Sequence, residues 1–184
     1  VRPPMEDGSY VATGWVTLSL RDYPPAGYLR EVAAAQARAA RWLAANAPTT
    51  HDEAVMQLLG LYWSGGAAAE VQSSAARLVR TQRADGGWAQ LPGLASDAWA
   101  TGSALVALHE GAGMKTTDPV YQRGVAFLLR TQYEDGSWWV KGRSWPFQPH
   151  FNSQFPHGRD QWISQGGTAW AAMALLYTLA PVRP

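Results

Sequence analysis

The sequence predicts an all-α fold: an array of helical hairpins, about seven helices in all, laid out as a half ring or open arc. Three observations carry this prediction. A turn is repeated at a fixed spacing, the segments around the turns alternate between amphipathic and wholly uncharged, and no stretch alternates polar and apolar residues as a half-buried strand does. The repeated segment Leu78-Val79-Arg80-Thr81-Gln82-Arg83-Ala84-Asp85-Gly86-Gly87-Trp88 is matched without a gap, 50 residues on, by Leu128-Leu129-Arg130-Thr131-Gln132-Tyr133-Glu134-Asp135-Gly136-Ser137-Trp138. A partial third copy, Glu6-Asp7-Gly8-Ser9-Tyr10, opens the chain. A period of this size is that of stacked units that need neighbours to bury their apolar faces.

Each unit reads as an outer amphipathic helix, a turn and an inner helix of small residues. Val11 to Leu20 is uncharged and follows the first turn, so it is an inner helix. An outer helix runs from about Tyr28 to Asn46, with Leu29, Val32, Ala33, Ala40 and Leu43 on one face and Gln36 as its polar interruption. Thr50 followed by Glu53 is a capping-box pattern opening an inner helix near Asp52 to Trp63. A further outer helix covers about Ala67 to Gln82, and the uncharged segment Ala98 to Leu108 is the inner helix after it. Asp118 then caps and Pro119 begins another outer helix, whose face is Tyr121, Gly124, Val125, Leu128 and Leu129. It ends before Asp135-Gly136, where glycine supplies a positive φ. Thr168 to Ala180 is the last inner helix, similar over Thr168–Leu175 to Thr101–Leu108. Helices without charge on any side are expected to be buried all round. The long uncharged run from Gln161 to Val182 is therefore read as a buried helix; its polar first half argues against a membrane span.

Composition narrows the function. The chain has 184 residues, 47% hydrophobic and 16% charged, enough for one domain with a real core. A net charge of +1 carries no nucleic-acid footprint. With no Cys, disulfides, thiolate nucleophiles and Cys-ligated zinc are excluded, and the compartment is left open. No signal-peptide pattern is present. Ten Trp exceed the seven Tyr and four Phe, and this aromatic load sits beside eighteen Gly, as in helices that approach closely. Because the first copy of the turn lacks the helix before it, residues 1–184 are expected to form a single domain of a longer chain or assembly.

The turn Arg123-Gly124-Val125-Ala126-Phe127-Leu128-Leu129-Arg130-Thr131-Gln132-Tyr133-Glu134-Asp135-Gly136-Ser137-Trp138 resembles the QW motif of squalene–hopene and oxidosqualene cyclases. The copy with Gln82, Gly86 and Trp88 keeps its second half. The resemblance implies the α/α-toroid fold that these cyclases share with protein prenyltransferase β-subunits, with inner and outer helices around a central cavity. It implies a structural role for Gln82, Gly86, Trp88, Gln132, Gly136 and Trp138 as braces of the helix ends. The cyclases' Asp-x-Asp-Asp motif and the Cys of the prenyltransferase zinc site are absent from the chain. The likeness thus carries the fold and leaves catalysis open.

Function is sought where the repeats differ. Eight residues separate Trp88 from Asp97, but twenty-one separate Trp138 from Asp160. This insertion, rich in Pro and aromatic residues, is a loop. It reads either as a plug over the helix ends or as a lid on a ligand. Candidate ligand contacts are Trp99, Trp139, Trp145, Phe147, His150, Phe155, Arg159 and Trp162; candidate acids and bases are Asp97, Asp160 and His157. Asp97 and Asp160, with Asp52 at the matching place, each precede an inner helix, as caps or as groups lining a cavity mouth. His109 reads as a partner of the helix dipole. No cofactor is called for, and a His150–His157–Asp160 metal set has admissible ligand types but unspecific spacing. Three functions fit: a module binding an apolar isoprenoid or lipid, an interaction arc closed by a partner chain or homodimer, and a polysaccharide-active toroid.

Overall fold

The computed structural model describes residues 3–4, 8–145 and 149–179. Among these residues it has seven α-helices and no strand: α1 Gly8–Asp22, α2 Leu29–Ala45, α3 His51–Trp63, α4 Ala68–Arg80, α5 Ala98–Ala112, α6 Pro119–Thr131 and α7 Gln161–Leu176. The odd-numbered helices pack side by side as an inner layer, and α2, α4 and α6 lie against them as an outer layer. This is an arc of helical hairpins. No helix among the described residues is long and apolar enough to cross a membrane.

The helix starts follow local chemistry. Thr50 accepts from the Glu53 backbone N–H while Glu53 reaches back, which completes the capping box of α3. Asp97 caps α5 through Ala100, and Asp118 caps α6 through Val120, with Pro119 in the first turn.

In the middle of the arc, burial follows the predicted pattern. Every residue of α5 from Ala98 to Leu108 is buried, and most of α3 is too. At the two ends the expectation of all-round burial fails. α1 buries Tyr10, Val11, Gly14 and Thr17 but exposes Ala12, Trp15, Val16 and Ser19. α7 starts seven residues earlier than expected; it buries Ile163, Ser164, Gly167, Ala171 and Ala174 and exposes Trp162, Ala169, Met173 and Leu176. The reason is position: among the described residues α3 and α5 have inner neighbours on both sides, whereas α1 and α7 each have one. Ala180 lies outside the described residues.

Two outer faces also need correction. On α2, Leu29 and Ala33 are exposed; Leu43 is buried, and Gln36, half-buried, donates to the Thr17 carbonyl at 2.9 Å. On α6, Leu129 is exposed and Phe127 is buried with Tyr121, Gly124 and Leu128. Both faces are rotated from the sequence reading because each outer helix packs between two inner ones.

Candidate functional site

The two repeated turns have the same construction. The indole of Trp88 donates to the Leu78 carbonyl and that of Trp138 to the Leu128 carbonyl, each at 2.9 Å. These carbonyls lie in the last turns of α4 and α6, where each is shared with a threonine hydroxyl, that of Thr81 or Thr131. The backbone N–H of each Trp donates to a threonine of the inner helix that follows, Thr101 or Thr168. Gln82 and Gln132 close the turns onto the Gly86 and Gly136 carbonyls, and both glycines have positive φ, 88° and 84°. Gln82 also donates to Val120 and accepts from Arg123, so the first turn is stitched to the next outer helix.

At the N-terminal ends of α3 and α5 the inner layer encloses a polar network. The Trp99 indole donates to Asp52 at 2.7 Å, and Arg143 of the inserted loop donates to Asp52 at 3.2 Å and to Gln90 at 2.6 Å. Gln90 passes its amide N–H to Asp97 at 2.8 Å. His51 Nε2 lies 3.2 Å from the Ser103 hydroxyl. Burial lowers the His51 pKa to about 4, aided by Arg143, so the ring is neutral near pH 7. Burial raises the Asp97 carboxyl above its ordinary value, against the bonds from Ala100 and Gln90. Asp52 is the second residue of α3, not a counterpart of the helix-capping Asp97; Thr50 holds that place.

The inserted loop is tied down by its own polar groups. Asp160 accepts from the Trp139 indole and the Gly142 N–H, at 2.9 and 2.8 Å. Val140 is buried and bonds Ser164, and fully buried Gln161 accepts from Ser153 and donates to the Phe151 carbonyl. His157, in the left-handed region at φ 78°, has Nε2 2.7 Å from the Ser137 hydroxyl and packs against Tyr133 and, more loosely, Phe155.

The predicted site residues therefore divide into groups. Asp160 and Trp139 meet; Phe155 and His157 meet; Trp162 stacks with Phe151. Trp99 is buried, edge-on to Trp170. Trp145 stands 86% exposed, and His150 and Arg159 are exposed at separate points of the loop. Phe147 lies outside the described residues. Among the described residues no three His, Asp or Glu side chains converge as a metal site. Sequence reasoning missed His51, Gln90, Ser103, Arg143 and Gln161. One signal was available: Gln90 stands where the other repeat has the apolar Val140, and a polar residue at a buried repeat position marks a network.

Two grooves recur at the same place in successive repeats, between a turn and the start of an inner helix. The larger, about 850 Å³, is lined by Asp97, Phe127, Tyr133, Asp135, Trp138 and Trp139 among others. The smaller, about 390 Å³, is lined by Thr50, His51, Arg77, Thr81, Arg83 and Gln90 among others. The chain matches no family model and no curated protein.

Proposed function

We propose that the chain is a squalene-cyclase-like helical-repeat module that works by binding an apolar partner, not by catalysis. The observation that supports this most is the stripe Trp162, Ala169, Met173 and Leu176 on α7, exposed along a helix that contains no charged residue. Contiguous apolar surface of this kind is uncommon on a free monomer and marks interaction sites. The carboxyls that acid–base chemistry would recruit are already engaged: Asp97 as a cap, Asp160 by Trp139 and Gly142, Asp52 by Trp99 and Arg143. Titration with the apolar-surface dye 1-anilinonaphthalene-8-sulfonate tests the reading. At concentrations where the chain is monomeric, saturable binding that Met173→Asp weakens is expected; a folded monomer that binds no dye contradicts it. Titration with an isoprenoid alcohol shows whether the same face takes a lipid chain.

A second reading rests on the larger groove. Exposed Tyr133 and Trp139 beside Asp97, Arg130 and Asp135 suit a ring-shaped polar ligand such as a glycan unit, which stacks on an aromatic face and bonds to carboxylates. A glycan screen in which binding is lost in Trp139→Ala is the outcome this reading expects; no binding to the parent chain contradicts it.

A further inference from the structure

We infer that the exposed face of α7 in one copy of this chain packs on the exposed face of α1 in a second copy, head to tail. The inference rests on the binding reading above and names its partner.

Three inner helices share one register. Ala12-Thr13-Gly14 in α1 corresponds to Ala100-Thr101-Gly102 in α5 and to Gly167-Thr168-Ala169 in α7. In the contact between α5 and α7, the forward face of α5 is marked by two residues. Gly102 lies so close to α7 that a Cβ there would sit 2.6 Å from the Ala171 nitrogen and the Trp170 carbonyl carbon. His109 packs on Tyr177, with ring centroids 4.4 Å apart. In α7 the equivalent positions are Ala169 and Leu176, with Met173 between them in place of Val106, and all three are exposed.

The rear face of α7, which receives α5, includes Gly167, Trp170, Ala171 and Ala174. A Cβ on Gly167 would lie 3.3 Å from the Trp99 nitrogen. The equivalents in α1 are Ala12, Trp15, Val16 and Ser19, and all four are exposed. Gly14, the counterpart of Gly102, faces Met56 of α3, so α1 uses its forward face inside the molecule as α5 does.

The two free faces therefore continue the interface already present between α5 and α7: one end offers its forward half, the other its rear half. Packing them desolvates no charge, because α7 has none and the only charges of α1, Arg21 and Asp22, pair with each other at 2.7 Å at its far end. Trp15 is already held by stacking on Trp63, at 5.9 Å between ring centroids, so little side-chain freedom is lost. A contact of this kind is heterologous: each copy uses one face per partner, and repetition gives a ring or a filament.

Light scattering on the eluting 184-residue chain, over a range of concentrations, tests this with Val16→Asp and Met173→Asp. Both positions are exposed, at 55% and 40%, so neither variant empties the core, and circular dichroism confirms the helical fold. The parent is expected to associate as concentration rises, and each variant alone to stay at the 20.0 kDa monomer mass. An equimolar mixture is expected to recover a two-chain species and nothing larger. Val16→Asp keeps the α7 face and Met173→Asp keeps the α1 face, so one productive contact remains. A monomeric parent, a single variant that associates like the parent, or a mixture that stays monomeric overturns the inference. If the monomeric parent still binds the dye through α7, only the head-to-tail contact falls; if it binds none, the binding reading falls with it.

Discussion

Trp88 and Trp138 show how a single side chain links two levels of this molecule. Each indole answers a helix-end carbonyl while its backbone N–H reaches the inner helix behind it. Trp88→Phe keeps most of the apolar volume and removes the indole donor, leaving the Leu78 carbonyl to its Thr81 partners alone. A loss of about 0.5–1.5 kcal/mol in a denaturant titration is expected. Arg143→Ala withdraws the loop's cation from buried Asp52 and from Gln90, and the same titration is expected to show a loss of up to about 3 kcal/mol. His51 makes stability depend on pH. Its folded pKa, about 4, lies below the unfolded value of 6.5, so the unfolded chain takes up the proton first. The contribution is complete above pH 6.5 and is lost as pH falls towards 4, a change of about 3 kcal/mol. Asp97, with its folded pKa raised, acts in the opposite sense and is stabilising at the acid end. The slope of unfolding free energy between pH 7 and 4 is therefore expected to flatten in His51→Gln. The bracing role of Trp88 is legible in the sequence, but the partners of Arg143 and His51 are not. Arg143 and Asp52 are far apart along the chain and meet because the inserted loop crosses the helix ends.

At the scale of elements, the alternation of amphipathic outer segments and inner segments, uncharged except for the start of α3, located all seven helices. The capping chemistry of Thr50, Asp97 and Asp118 set three of their starts. Composition could not tell how many sides of an uncharged helix are covered. Thr168–Leu175 resembles Thr101–Leu108 in sequence, yet α5 is enclosed and α7 is half bare, because burial depends on neighbours that local sequence does not encode. The difference predicts opposite outcomes for similar substitutions. Leu105→Ala, at a fully buried position, is expected to cost about 2–5 kcal/mol. Leu176→Ala, at a position 61% exposed, is expected to stay within about 0.5 kcal/mol. Gly102→Val drives a side chain into the α7 backbone and is expected to cost about 1–3 kcal/mol or more, read as a fall in melting temperature.

For the molecule as a whole, the arc is held by bonds that run between repeats. Gln82 joins the first turn to α6, Arg130 reaches the Asp85 carbonyl, and Arg143 ties the inserted loop to α3. Among the described residues the array is closed in the middle, and the exposed faces of α1 and α7 repeat the two halves of an internal contact. The central claim is that these faces meet, and the absence of native Cys allows a direct test. Chains carrying Val16→Cys and Ala169→Cys, the positions equivalent to the close approach of Ala171 and Gly102, are mixed under mild oxidation, and the disulfide-linked products are counted by mass. Mixed cross-links far in excess of the statistical share are the predicted result. A mixed yield only about twice that of each single-variant pairing, as random collision gives, would contradict it.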